Sequence, residues 1–273
     1  MKVASFNIQK FGKNKVSDPD VLNILVQIVS RYDIIVILEV VDITGESVRT
    51  FLHALNRANG KHHYTLKISS RLGRTRYKEQ FMFLYRDNMV DLVGSYQFDD
   101  EEEEGGDVFA REPYILRFRC LNTVLKDLVL IPVHTKPQDS ERELDELYDV
   151  FLAVKRRWRT DVHTHNRIVV YGDDMLQAVV PNSAKSFNFQ VAYGLSDEQT
   201  LKVSDHYPVE LQLKSSGSNA PPADGLKPPL VDDDLQDLKR GNLLLEREKL
   251  SLEIQILRMK MASMSRQEEL LQQ

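Results

Sequence analysis

Apolar positions over residues 1–214 follow two rhythms. Runs with period-two alternation or β-branching read as strands: Lys2-Val3-Ala4-Ser5-Phe6 at the outset, the alternating run 115–120, and segments 34–38, 81–85, 128–133, 168–171 and 209–213. Between them apolar residues recur at three- and four-residue steps. Ser17-Asp18-Pro19 offers a cap with proline at the first helical position, and Val21, Leu22, Leu25, Ile28 and Val29 mark one helical face. The strongest helix spans 141–158, where Leu144, Leu147, Tyr148, Phe151, Val154 and Trp158 form a stripe expected to pack on a sheet. The pattern is that of an α/β chain of the α+β type.

After residue 214 the rhythm changes. Residues 215–231 read as a linker, Ser-Ser-Gly-Ser followed by prolines at 221, 222, 228 and 229. From 232 to 273 Leu243, Leu250, Leu257 and Met264 recur every seven residues, with Ile254 and Met261 between them and Arg247 and Glu268 interrupting the second row. This predicts a long helix with a short coiled-coil seam that makes a homo-oligomer. The alternative is a helix folded back on the domain.

Composition adds bounds. With 273 residues, 42% hydrophobic and 28% charged, the chain suits one sizeable domain plus an appendage. The net charge of −5 does not advertise a nucleic-acid binder, although acid is concentrated in 99–104 and 232–234 and local patches matter more than totals. The single cysteine, Cys120, cannot form an internal disulfide and is expected as a small buried residue. No run reaches the roughly 18 apolar residues of a membrane span, and a strand begins where a signal peptide would stand, so the expectation is an intracellular chain, with the nucleus as one option, and without a membrane partner. The cations Lys155, Arg156, Arg157 and Arg159 either complement a helix dipole or serve nuclear import or DNA-backbone contact.

Candidate chemistry sits where strands end. Asn7 is expected to close the first strand, Glu39 the second and His134 the strand 128–133; Glu79 precedes 81–85, and Ser204-Asp205-His206 precedes 209–213. Strand ends converge on one rim of a sheet. Carboxylates and an amide carbonyl suit a hard divalent cation, and two histidines beside it suit phosphodiester hydrolysis, one as base and one as acid.

Six segments carry a resemblance: Ser5-Phe6-Asn7-Ile8-Gln9, Ile37-Leu38-Glu39-Val40, Tyr77-Lys78-Glu79-Gln80, Ala110-Arg111-Glu112-Pro113, Val133-His134-Thr135 and Ser204-Asp205-His206-Tyr207-Pro208-Val209. In this order they resemble the deoxyribonuclease I family of the endonuclease/exonuclease/phosphatase superfamily, from Lys2 to about Lys214, and Ala192-Tyr193-Gly194-Leu195-Ser196 is similar to the deoxyribonuclease branch in particular. The resemblance implies a four-layer sandwich, two packed β-sheets flanked by helices. It implies that Glu39 and Asn7 bind the catalytic Mg²⁺ (with Mn²⁺ as an alternative), and that His134, oriented by Glu79, and His206, beside Asp205, form the acid–base pair. Arg111 would hold the scissile phosphate of DNA. Tyr77 would meet a sugar in the minor groove, flanked by Arg71, Arg74, Arg76 and Lys78, and Asp99, Asp107, Phe109 (by its carbonyl) and Glu112 would hold a structural Ca²⁺.

The departures matter as much. The family's Gly-Asp-Phe-Asn-Ala stretch, with its metal-side aspartate and phosphate-contacting asparagine, has no counterpart between Trp158 and residues 168–171. The aspartate expected to orient the second histidine is Asn166, and an arginine expected after Val40 is Val41. An amide cannot stabilise an imidazolium as a carboxylate does. Gly172-Asp173-Asp174 is expected to be an ordinary loop. The expectation is an endodeoxyribonuclease impaired by the lost segment. The alternatives are an inactive nuclease-like DNA- or protein-binding protein oligomerised by its tail, and an unusual splice form. The seam makes its own prediction: a peptide of residues 230–273 sediments as an oligomer, and one that stays monomeric at high concentration removes the oligomerisation reading.

Overall fold

The computed structural model describes residues 1–99, 108–135, 140–158 and 173–216. The chain divides into two units, Met1–Ser218 and Asn219–Gln273. The second, with the expected coiled-coil helix, lies outside the described residues, as do the expected strand at 168–171, Asp107 and Asn166. In chain order the elements are β1 (Lys2–Phe11), α1 (Lys13–Ser17), α2 (Pro19–Val29), β2 (Ile34–Val40), α3 (Glu46–Ala58), β3 (Tyr64–Ile68), β4 (Gln80–Arg86), β5 (Val90–Gln97), β6 (Tyr114–Cys120), β7 (Asp127–Leu130), α4 (Ser140–Trp158), α5 (Asp173–Ala178), β8 (Lys185–Ser186), α6 (Phe189–Tyr193), α7 (Asp197–Val203) and β9 (Val209–Gln212).

One sheet runs β3-β4-β2-β1-β9-β8, with β1 and β2 parallel; the other runs β5-β6-β7. Three apolar clusters define the layers. Phe6, Ile8, Ile35, Ile37, Met82 and Leu84 on one face of the first sheet meet Leu25 and Ile28 of α2 and Phe51 and Leu55 of α3. The opposite face, with Val3, Ile34, Val36, Phe81 and Phe83, meets Leu116, Phe118, Cys120 and Leu128 of the second sheet. The far side of that sheet, with Ile115 and Val129, receives Val150, Val154 and Trp158 of α4. Helix, sheet, sheet, helix: this is a four-layer sandwich. Period-two alternation in β1 and β2 puts apolar residues on both faces because both are covered.

Local chemistry accounts for several boundaries. Asp18 caps α2 by accepting from the backbone N–H groups of Asp20 and Val21, with Pro19 at the first position. Ser196 and Gln199 close a capping box on α7. Cys120 is buried. Among the described residues no helix is long and apolar enough to cross a membrane.

Four expectations are corrected. The strand expected at 128–133 stops at Leu130; Ile131 and Val133 are buried by packing in the α4 layer and extend no ladder, so His134 stands beyond the strand rather than at its tip. Asn7 does not close β1, which continues past a register shift to Phe11. Asp173 and Asp174 begin α5, not a loop. Ser215 and Ser216, placed in the linker, still pair with Thr123 and Asn122.

The docking of α4 is testable through Gly94. A Cβ there would lie 3.0 Å from the Trp158 ring. Trp158 is the only tryptophan in the chain, so intrinsic fluorescence reads its environment. Gly94→Val is expected to red-shift the emission and to lower unfolding stability by about 1–3 kcal/mol in a urea titration; unchanged emission and midpoint would contradict this packing.

Candidate functional site

Parallel β1 and β2 bring Asn7 and Glu39 side by side. The Asn7 amide donates to Glu39 Oε1 at 2.7 Å, and the Lys10 backbone N–H donates to Glu39 Oε2 at 3.1 Å. Here the ladder slips: Lys10 and Glu39 both have positive φ, +56° and +58°. Non-glycine residues adopt that conformation at a cost of about 1–3 kcal/mol each, and it turns the Glu39 carboxylate back over the rim. Asn7 Oδ1 is buried without a hydrogen-bond partner, an arrangement that costs about 1–3 kcal/mol unless something satisfies it.

Glu79 lies just ahead of β4, paired by a single bridge to Leu72. Its buried carboxylate receives three donors from the second sheet's side of the molecule. His134 Nδ1 lies 2.9 Å from Oε2, Arg111 Nη2 donates to Oε1 at 2.7 Å, and Arg111 Nε stands 2.5 Å from Oε2. Arg111 also donates to the His134 carbonyl at 3.1 Å. With Nδ1 held by Glu79, the other ring nitrogen of His134 stands 3.5 Å from Glu39 Oε1. Burial alone would raise the Glu79 carboxyl; the hydrogen bonds and charges of His134 and Arg111 outweigh it and hold the group below its usual range.

The segment before β9 joins the same rim through the backbone. Ser204 Oγ donates to the Asn7 carbonyl at 2.7 Å and accepts from the His206 N–H at 3.0 Å. Asp205 accepts from Gln9 Nε2 at 3.0 Å. The His206 ring is more than half exposed, and its nearest ionic partner among the described residues is Asp205 at 3.6 Å, beyond hydrogen-bond reach. Asn7, Glu39, Glu79, Arg111 and His134 thus form one connected cluster. Asp205 and His206 adjoin it without a side-chain bond to it.

The remaining candidates lie around this centre. Burial, the charges of Glu79 and Glu39 and an interaction with Glu79 push the phenol of Tyr77 up to about 12, although the residue is 46% exposed. Arg74 donates to the Val108 carbonyl at 2.7 Å, Arg71 to the Lys78 carbonyl at 3.5 Å, and Lys78 to the Gly73 carbonyl. Arg71 and Lys78 therefore brace their own loop, Arg74 ties it to the segment before β6, and Arg76 is exposed. Asp99 and Glu112 are brought close by the Phe98 N–H bond to the Pro113 carbonyl, and the rings of Phe98 and Phe109 are 5.9 Å apart. Among the described residues no group of three or more His, Cys, Asp or Glu is arranged to hold a metal.

The sequence matches the Endonuclease/Exonuclease/phosphatase family over residues 4–173. Deoxyribonuclease gamma of Homo sapiens is 35% identical, covering 79% of this chain and 87% of that protein. Deoxyribonuclease-1 of Canis lupus familiaris is 38% identical, covering 78% and 92%. The chain belongs to the deoxyribonuclease I family. It is thereby a deoxyribonuclease-type hydrolase by descent. The alignment to the human protein runs over 264 residues yet takes in 79% of this 273-residue chain, so that relative carries residues with no counterpart here.

Two contacts escaped sequence reasoning. Arg111 forms a two-pronged pair with Glu79, and Lys15 reaches the carbonyls that end α7. Nothing local marks either, since the partners are tens to nearly two hundred positions apart.

The depressed Glu79 carboxyl sets a pH dependence. Its contribution to stability is complete above the ordinary value of 4.5 and is lost as pH falls through the lower folded value. Urea midpoints of the wild type are expected to fall below about pH 4.5, in line with that linkage. Glu79→Gln is expected to lose about 3 kcal/mol at neutral pH and to show a shallower acid slope; a mutant with the wild-type slope would exclude Glu79 as the titrating group.

Proposed function

We propose that this protein is an endodeoxyribonuclease that hydrolyses DNA phosphodiester bonds with a divalent cation, at a rate reduced by its missing segment. The observation that carries the reading is the buried, unpartnered Asn7 Oδ1 beside Glu39, a few ångströms from a histidine already held by a carboxylate. An amide oxygen and a carboxylate oxygen are the donors that Mg²⁺, Ca²⁺ or Mn²⁺ select, so the residues fit a hard cation. Asn7 and Glu39 would hold it, and when bound it would neutralise charge developing on the scissile phosphate.

The chain's own groups supply the proton transfers. Glu79 fixes His134 with Nδ1 protonated, leaving Nε2 to accept a proton from the attacking water, and stabilises the imidazolium that results. His206 in its protonated form donates to the leaving oxygen, with Asp205 beside it. Arg111 spends three N–H donors on Glu79 and the His134 carbonyl; its remaining two are free in number to meet a phosphate oxygen. Exposed Arg76 and Tyr77, with Arg74, offer a DNA contact loop. Asp99, Asp107, Phe109 (by its carbonyl) and Glu112 would hold a structural Ca²⁺. The sequence has Asn166 where the family carries an aspartate, so an amide would stand in for the carboxylate partner of His206.

A plasmid-nicking assay with Mg²⁺ plus Ca²⁺ tests this. The expected result is slow nicking, abolished by EDTA and by His134→Ala, about 10³–10⁴-fold below deoxyribonuclease-1 assayed alongside, and increased by Asn166→Asp. Nicking that survives His134→Ala or EDTA would overturn the mechanism; full-rate nicking would overturn the impairment.

A further inference from the structure

Lys15 lies on α1, outside the cluster that binds or moves protons. Its ammonium donates to the carbonyls of Lys202 and Val203, each at 2.8 Å. These are the last residues of α7, whose carbonyls lack partners within the helix, and a cation at a helix C-terminus is favoured by the helix dipole. One residue further, fully buried Ser204 bridges the Asn7 carbonyl and the His206 N–H. Burial lowers the Lys15 pKa, and the charges of Asp205 and Glu39 oppose that shift, so the ammonium sits within the field of both carboxylates.

The His206 ring has no hydrogen bond among the described residues; its ion-pair neighbour there is Asp205, at 3.6 Å. Where that imidazole points therefore depends on the backbone from 203 to 206. Three side chains hold that segment: Gln9 of β1 donates to the Asp205 carboxylate at 3.0 Å, and Ser204 and Lys15 hold the backbone itself. Ser204 ties it to β1, the strand that carries Asn7. Lys15 ties the helix end immediately before it to α1, which continues from β1.

We propose that Lys15, together with Ser204, is the positioning residue for His206: it sets the aim of the imidazole relative to Asn7 by clamping the end of α7, without touching the reacting groups. The inference rests on the assignment of His206 to the nuclease site above. It gives a chain with Asn166 in place of the family's aspartate a backbone route for holding the ring near the rim.

The test uses the full chain with ¹³C,¹⁵N-labelled histidine, and compares wild type, Lys15→Met, Lys15→Arg and Ser204→Ala by imidazole chemical shifts and by amide exchange. The expected result is that His206 resonances move in Lys15→Met and Ser204→Ala while those of His134 stay in place. Amides 204–207 should exchange about tenfold faster in both variants, and Lys15→Arg should restore the wild-type pattern. His206 resonances unchanged in both variants would overturn the proposal, as would equal displacement of His134, which marks general loosening. Plasmid nicking by the same wild-type preparation separates the two readings. A chain that does not nick, but whose His206 moves as stated, fails the nuclease reading and keeps the positioning one; a chain that nicks, but whose His206 does not move, does the reverse.

Discussion

The candidate site depends on one buried carboxylate shared between a guanidinium and an imidazole. Glu79 belongs to the rim of the first sheet, whereas Arg111 and His134 come from the segments that precede β6 and follow β7 in the second. Their bonds to Glu79 cross from one sheet to the other at the place where the rim residues meet. A charge buried this deeply costs several kcal/mol unless it is paired and hydrogen-bonded on its available lone pairs. Arg111 meets that requirement with a two-pronged contact, and in doing so also fixes the His134 carbonyl. The same pairing divides the carboxylate's charge between a guanidinium and an imidazole, so the grip on His134 is weaker than an unshared carboxylate would give.

Around this pair the fold carries local costs that the core offsets. Lys10 and Glu39 sit in left-handed conformations opposite one another, and Asn7 Oδ1 is buried unpaired. Layers on both faces of β1 and β2 leave these strands no freedom to relax: Phe6, Ile8, Ile35 and Ile37 are fully buried against helices, and Ile34 and Val36 against the second sheet. Strain of this kind gathers where function asks for a geometry that the backbone would not choose. Its presence beside an orphaned oxygen is what makes the rim the candidate site.

The two histidines are held in different ways. His134 is oriented through its ring by a carboxylate, whereas among the described residues the His206 ring has Asp205 at 3.6 Å as its ionic neighbour and its backbone carries the hydrogen bonds. Ring anchoring selects a tautomer as well as a direction; backbone anchoring selects a direction alone. That asymmetry, together with Asn166 in the sequence, is the physical ground of the proposal that the chemistry is slowed.

Periodicity and residue type determined much of this protein. Alternation in the first strand, the β-branched apolar run of the second, the Asp18-Pro19 start of α2 and the α4 stripe ending at Trp158 were legible, because each is written within a few neighbouring positions. The stop of β7 at Leu130 was not: Ile131 and Val133 are apolar because α4 and the β5–β6 connection cover them, and burial by a layer looks the same in sequence as burial in a ladder. Nor were the Arg111–Glu79 pair or the reach of Lys15 to α7, which join residues 32 and nearly 190 positions apart. Local pattern encodes which residues are buried and with what period. Which charged groups share a carboxylate or clamp a helix end is decided only when separate strands end at one place in space, and that is a property of the packed layers.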